Sequence, residues 1–306
     1  MSDDKLRALL KALTGDRFEE AGAVLAAGFD VDTPGPRDVT ALYAVLDAAF
    51  TPERLAWLLA RGADAGRPAG PHGEAAVHVA ARRRRVDAVH ALAAHGVDLD
   101  ARNRGRKSAY QHAVRRGFDD VAEALAGHGC DRALDAGDRF AVHMNAGELD
   151  AARALAAEGA IVDPANPEET RLLPDLAGRF DVVEAVELLL DLGFPVDARG
   201  LDGGTSLHVA GWFAQPEVID LLLPRGAALE LLCEEHRFTP LGWVTHGSRY
   251  SGGAAARNAE YGRCAQALLD AGASLVHPDR PDDLSGAWLL RDAQGEVKRR
   301  IEERLS

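Results

Sequence analysis

The 306-residue sequence is poor in sulfur and in long apolar runs. Its three cysteines, Cys130, Cys233 and Cys264, lie far apart, which excludes a disulfide framework and fits a reducing compartment. No uncharged apolar run reaches the roughly 18 residues that a membrane-spanning helix needs. The first residues are acidic and lack the apolar core of a signal peptide. These absences predict a soluble protein of the cytoplasm.

Positive charge is also scarce. The 35 Lys and Arg residues face 48 Asp and Glu residues, which gives a formal net charge of −13. A chain with this balance is not a general binder of nucleic acid or of anionic membranes, so neither is expected as a partner. Only four of the basic residues are lysines, a bias typical of a GC-rich genome. An arginine in this sequence is therefore weak evidence that the position needs the bidentate hydrogen bonding of a guanidinium group.

The sequence does contain an internal repeat. Each unit ends in an amphipathic stretch followed by a glycine, the residue that most readily takes the left-handed conformation just past a helix. The spacings between successive glycines are 34, 34, 33, 30, 34, 33 and 46 residues. One helix pair cannot bury its apolar face alone, so the pattern predicts stacked pairs of helices. The eight repeat glycines are Gly28, Gly62, Gly96, Gly129, Gly159, Gly193, Gly226 and Gly272.

A short motif opens several of these units. Its best copy is Thr205-Ser206-Leu207-His208-Val209-Ala210, and Thr239-Pro240-Leu241 opens the next unit in the same way. Looser copies occupy residues 40–45, 75–81 and 108–113, whereas the shortened unit at 138–159 has none. With these residues the sequence resembles the ankyrin repeat family, whose signature is T-P-L-H-x-A.

The resemblance covers nearly the whole chain, with about eight repeats. It implies an all-α solenoid of stacked helix–turn–helix units with a concave groove. The expected organisation is a single domain of residues 1–306, closed by a charged C-terminal cap at residues 281–306. In such repeats the signature histidine is structural, so the resemblance implies that His78 and His208 belong to the scaffold.

The same resemblance places the residues after each signature in the groove. It implies a basic zone in repeats three and four, because residues 82–116 contain ten basic and three acidic residues. We interpret this zone as a seat for an acidic segment, a phosphate or a carboxylate. The alternative is a set of solvated arginines that offset neighbouring acidic units. The groove residues of this zone are Arg82, Arg83, Arg115 and Arg116.

A second zone is aromatic. Aromatic residues make up 6% of the chain, yet six of them fall between Trp212 and Tyr261. Exposed aromatic residues in a concave surface indicate a binding hot spot or a small-molecule pocket, and core packing is the alternative. The 46-residue spacing adds about a dozen residues here, and this Gly/Ser/Ala-rich 248–258 insertion is expected to be a mobile loop. It is interpreted either as a lid carrying Arg249 and Tyr250 or as a tolerated surface loop.

The sequence contains no recognised phosphate-binding, dinucleotide-binding, nucleophile-elbow or zinc-protease motif, so we expect neither a cofactor nor a metal. The favoured function is a non-enzymatic protein–protein interaction module that binds an acidic or aromatic-containing segment. The alternative is a small-molecule-binding protein or an atypical enzyme that uses Trp212, Phe213 and His246 beneath the 248–258 loop, with His246 and Tyr250 as its acid/base residues. The predicted partner-binding residues are Arg82, Arg83, Arg115, Arg116, Trp212, Phe213, His246 and Tyr250.

Overall fold

Helices form the regular structure of the chain. The computed structural model describes residues 2–159, 163, 166–200 and 203–306. Within these residues the only β pairing is two isolated bridges, Ala69 with Glu74 and Arg199 with Thr205, so the all-α prediction is confirmed. Across the same part of the chain, no helix combines the length and apolarity needed to cross a bilayer.

The helices follow one another in pairs. In chain order they are α1 (Ser2–Thr14), α2 (Phe18–Ala26), α3 (Ala41–Ala48), α4 (Pro52–Leu59), α5 (Ala76–Arg82), α6 (Val86–Ala94), α7 (Ala109–Val114), α8 (Asp119–Gly127), α9 (Ala136–Ala146), α10 (Leu149–Ala157), α11 (Pro167–Thr170), α12 (Leu172–Ala177), α13 (Val183–Asp191), α14 (Ser206–Trp212), α15 (Pro216–Leu222), α16 (Pro240–Tyr250), α17 (Asn258–Asp270), α18 (Ala287–Leu290) and α19 (Gly295–Leu305).

The repeat glycines lie just past the second helix of each pair, as the sequence predicts. All eight have a positive φ, between 80° at Gly28 and 144° at Gly159. At the end of α13 the N–H of Gly193 bonds to the carbonyl of Leu190, and the N–H of Phe194 reaches back to Leu189. These bonds satisfy carbonyl groups that the end of a helix leaves without a partner.

Several of the first helices begin at a residue whose side chain caps the helix. Thr40 caps α3 by accepting the N–H of Tyr43, and Ser108 forms a reciprocal capping box with Gln111 at the start of α7. Helix α9 has the same device in a form that sequence reasoning missed. The Asp138 N–H donates to Asp135 Oδ1 at 2.8 Å, and the Asp135 N–H donates to Asp138 Oδ2 at 3.1 Å. An Asp-x-x-Asp box thus stands where the unit of α14 carries Thr205 and His208.

The described chain divides into two compact units, one ending at Val142 and one beginning at His143. In the first unit, α3, α5 and α7 pack in succession, as do α4, α6 and α8. In the second unit, α12, α14 and α16 pack in succession, as do α13, α15, α17 and α19. Leucines fill the core of each unit, with Leu46 and Leu92 fully buried in the first and Leu189 and Leu268 in the second. The single domain over residues 1–306 stays a prediction.

Candidate functional site

Arg82 and Arg83, at the end of α5, are paired inside the first unit. Arg82 Nε lies 3.1 Å from Glu74 Oε1, and its Nη2 lies 2.7 Å from Asp47 Oδ1. Arg83 holds both oxygens of Asp47, at 2.8 and 2.9 Å. Partial burial alone would raise the pKa of Asp47, but hydrogen bonds and charge interactions with Arg83 and Arg82 outweigh it and lower that pKa. A partner carboxylate would therefore have to displace Asp47.

Arg115 and Arg116, at the end of α7, are only 7% and 6% exposed. Arg115 Nη1 lies 3.1 Å from Asp138 Oδ1, and Lys107 Nζ lies 2.9 Å from the same oxygen and 2.7 Å from Asp135 Oδ2. This burial corrects the expectation that the two arginines project towards a partner. The physical reason for Arg115 is the capping box of α9, which brings a buried carboxylate to its guanidinium.

The aromatic zone forms a row of rings in the second unit. Trp243 belongs to the core, where it packs beside Val209 and Cys233. The Trp212 ring lies 6.1 Å from Trp243 and 5.5 Å from His246, measured between centroids. Tyr250 follows His246 by one helical turn on α16, and their centroids lie 4.4 Å apart. The structure thus brings the rings of Trp212, His246 and Tyr250 together.

A carboxylate from the C-terminal cap orients His246. Asp292 Oδ2 lies 3.2 Å from His246 Nδ1 and 3.2 Å from Arg291 Nη2. Burial acts to raise the pKa of Asp292, but the hydrogen bonds from Arg291 and His246 lower it overall, so the group is ionised at neutral pH. An ionised carboxylate only accepts, so His246 Nδ1 carries a proton in this contact, and Nε2 is the acceptor of the ring whenever the imidazole is neutral.

Sequence reasoning missed Asp292, because 46 residues separate it from His246 and its neighbours indicate only a charged cap. Phe238 completes the surroundings of the imidazole, with its ring centroid 5.8 Å from that of His246. Phe238 lies within the aromatic cluster between Trp212 and Tyr261, but the sequence alone did not indicate that it contacts His246. His246 therefore contacts three aromatic rings and one carboxylate and remains partly exposed.

Tyr250, within this row, and Phe213, in the same zone, remain markedly accessible. Tyr250 is 53% exposed and Phe213 is 37% exposed. The Arg249 guanidinium lies over the Tyr250 ring, 5.2 Å from its centroid, and donates to the carbonyl of Arg291 at 3.0 Å. Phe213 packs closely over Gly178, where an added Cβ would lie 2.6 Å from its ring. Rigid aromatic faces and guanidinium groups thus share this surface.

The 248–258 insertion is ordered rather than a loop between helices. Helix α16 continues through Tyr250, and a 3₁₀ turn at Ala254–Arg257 leads directly into α17. Arg257 donates to the carbonyls of Phe213 and Ala214 at the end of α14. The expected mobile loop is therefore corrected: residues 248–250 lengthen α16, and Arg257 links the start of α17 to the preceding repeat.

Gly247 allows α16 to pass close to the end of α14. An added Cβ there would lie 2.8 Å from the carbonyl oxygen of Trp212, so α16 passes α14 closely only because no side chain intervenes. The same carbonyl accepts the hydroxyl of Tyr261 from α17. Three helices therefore meet at the backbone of Trp212.

The signature histidines have the structural role that the resemblance implies. His208 Nδ1 accepts the N–H of Thr205 at 3.0 Å, and its Nε2 lies 3.0 Å from the carbonyl of Phe238 in the next repeat. Burial lowers the pKa of His208 to about 4, which keeps the ring neutral. His78 Nε2 makes the equivalent contact with the carbonyl of Lys107 at 3.1 Å.

The surroundings of the cysteines do not favour reaction at their thiols. All three cysteines are free and buried. Burial raises the pKa of the Cys264 thiol, which disfavours the reactive thiolate. Across residues 2–159, 163, 166–200 and 203–306, no group of three or more His, Cys, Asp and Glu side chains is placed to hold a metal ion.

Comparison with known protein families identifies the type of repeat in part of the first unit. The family model described as ankyrin repeats, three copies, matches residues 41–135. This match includes α3 to α8 of the first unit. A search of the curated proteins found no match.

Proposed function

Since residues 41–135 form ankyrin repeats, we propose that this chain is a non-enzymatic protein-interaction module. Ankyrin repeats generally mediate binding between proteins, and a fold alone does not specify a partner. The observation that carries the proposal is the accessible row of Trp212, His246 and Tyr250 in the second unit. We assign partner binding to this row and to Phe213.

The row has the properties of a binding hot spot. Its rings sit on α14 and α16, so binding would order few side chains and lose little conformational entropy. Tyrosine and tryptophan supply large contact areas and dominate the energy of many protein interfaces. Trp212 is half-buried and Tyr250 is mostly exposed, so both can still bury apolar surface against a partner.

Charge beside the row indicates the chemistry of the partner. Arg249 and Arg291 are both exposed next to Tyr250 and Asp292. Their guanidinium groups can pair with carboxylates, whereas the chain as a whole carries a charge of −13. We therefore propose a partner segment with an apolar or aromatic anchor and a neighbouring Asp or Glu. We place this binding in the cytoplasm, where the three buried thiols would stay reduced.

The arginines of the first unit are not assigned to partner binding in this proposal. Asp47 and Glu74 already neutralise Arg82 and Arg83, and Asp138 pairs with Arg115. Removing a carboxylate from such a pair costs more than a new contact at the surface returns. We therefore assign these arginines, together with buried Arg116, to the scaffold.

A second candidate function is a small-molecule site or an atypical enzyme at the same place. The observation that favours it is the Asp292–His246 pair, which fixes the imidazole tautomer and leaves Nε2 as an acceptor. A neutral imidazole held in this way can act as a general base. Trp212, Phe238 and Tyr250 would supply the apolar walls around it.

A displayed library of random peptides tests the interaction module directly. We expect wild-type protein to enrich peptides that combine an aromatic or aliphatic residue with Asp or Glu. Trp212→Ala and Tyr250→Ala should each weaken the enriched peptides by about tenfold or more, as truncated hot-spot residues do. Leu284→Ala is the matched control, because Leu284 is an exposed apolar residue of the same unit. Equal binding by the Trp212 variant and wild type would overturn the assignment.

A further inference from the structure

Two histidines from consecutive repeats meet on the surface of the first unit. His90 belongs to α6, and His128 directly follows the last residue of α8, the helix that packs beside α6. His90 Nδ1 and His128 Nε2 lie 2.8 Å apart, and both residues are exposed. The ring centroids are 5.1 Å apart, with the planes inclined at 65°. The proposed interaction function makes no use of this pair.

The hydrogen bond between the two rings can be replaced by a metal. In a contact between neutral imidazoles one nitrogen donates and the other accepts. If the donor ring takes its other tautomer, both facing nitrogens carry a lone pair without a change in net charge, and a small rotation of the two exposed rings directs both lone pairs at one ion. Two imidazole nitrogens bound at about 2.1 Å are about 3 Å apart when the angle at the ion is about 90°, as for Ni²⁺ or Cu²⁺, and about 3.4 Å apart at a tetrahedral Zn²⁺. The observed separation of 2.8 Å is close to the first value and needs only a small ring movement to reach the second.

We propose that His90 and His128 bind one divalent transition-metal ion such as Zn²⁺, Ni²⁺ or Cu²⁺, with water in the remaining positions. Imidazole favours these ions, whereas Mg²⁺ and Ca²⁺ favour oxygen ligands. Both rings are exposed, so an ion can reach them without unfolding of the repeat.

The site has only two protein ligands. No third His, Cys, Asp or Glu among the described residues joins them in a metal-binding group, which leaves the other coordination positions to solvent. The ion would link α6 to α8 and hence one repeat to the next. Because the two ligands come together only in the folded chain, bound metal should raise the thermal unfolding midpoint.

Isothermal titration calorimetry with ZnCl₂, NiCl₂ and MgCl₂ tests the proposal on the full chain. We expect Zn²⁺ and Ni²⁺ to bind with one site per chain, and Mg²⁺ to give no binding heat. His90→Gln and His128→Gln should each weaken that site by about tenfold or more, because one of two ligands is lost. His95→Gln is the matched control, since His95 is exposed at the end of the same helix but lies five residues from His90 on another face.

NMR on the wild-type protein gives a second measurement that does not depend on variant folding. Paramagnetic Ni²⁺ at substoichiometric concentration should broaden the ring protons of His90 and His128 before those of the other histidines. The proposal is overturned if His95→Gln lowers the affinity as much as His90→Gln, or if Ni²⁺ broadens all exposed histidines alike.

Discussion

The carboxylate of Asp100 accepts the backbone N–H of Asp131 at 2.7 Å, across the boundary between two repeats. Asp100 lies four residues after the repeat glycine Gly96, and Asp131 lies two residues after Gly129. The same offsets describe a contact in the second unit, where Asp197 accepts the N–H of Ala228 at 3.1 Å. We call this recurring contact the turn latch, and it joins the turns of successive repeats.

The latch at Asp100 should contribute measurably to stability. Asp100→Ala removes a hydrogen bond from a charged acceptor, and we expect the free energy of unfolding to fall by about 1 kcal/mol. Glu123→Ala on α8 is the control, because it also removes one exposed carboxylate but does not touch a turn. Urea unfolding followed by circular dichroism makes the comparison. Equal losses in the two variants would mean that net charge, and not the latch, is responsible.

Asp138 should be among the most sensitive polar positions of the first unit. Asp138→Ala leaves Lys107 and Arg115 buried with less negative charge, and we expect a loss of about 3 kcal/mol in the free energy of unfolding. Lys107→Met combined with Asp138→Ala should cost less than the sum of the single changes, because the pair interacts. A double-mutant cycle from urea midpoints measures this coupling. Strict additivity would contradict the buried pair.

His208 should make the stability of the second unit depend on pH. Folded His208 stays neutral down to its lowered pKa of about 4, whereas an ordinary imidazole in the unfolded chain protonates near 6.5. As the pH falls, the unfolded chain takes up the proton first, so stability declines between these values. The full contribution is present above about pH 6.5 and amounts to about 3 kcal/mol lost by pH 4.

Two measurements check this pH dependence. The Hε1 resonance of His208 should show no titration above about pH 5 in NMR spectra. The slope of unfolding free energy against pH should be smaller in His208→Gln than in wild type, whatever the absolute stability of the variant. A titration of His208 with an ordinary midpoint would refute the explanation.

Asp292→Asn should separate the two candidate functions of the aromatic row. An amide can donate to Nδ1 and so favour the wrong imidazole tautomer, while the shape of the surface changes little. We expect peptide affinity to change by no more than about threefold, because the rings and not the tautomer make the contact. An enzyme that uses His246 as a base would instead lose about 10²-fold or more in turnover. Fluorescence polarisation with an enriched peptide gives the first quantity, and a turnover assay gives the second.

The sequence predicts the local features of the fold well and the distant contacts poorly. The repeat glycines mark helix ends because a left-handed residue is a local requirement, and all eight have positive φ. The burial of Arg115 could not be predicted in the same way, because its partner Asp138 lies in a shortened unit without the histidine signature. Asp292 was missed for the same kind of reason, since only tertiary packing of the cap brings it to His246.

The turn latch forms the same joint at four boundaries between repeats. Asp32 with Asp64 and Glu230 with Ser274 use the same offsets from their glycines as Asp100 with Asp131. Donor and acceptor therefore belong to the glycine-centred turn and do not depend on which helices flank it. The turn at Gly226 carries both parts, since the N–H of Ala228 bonds to the repeat before it and the carboxylate of Glu230 accepts from the repeat after it. Duplicating a unit with such a turn would extend the array without a new joint having to arise.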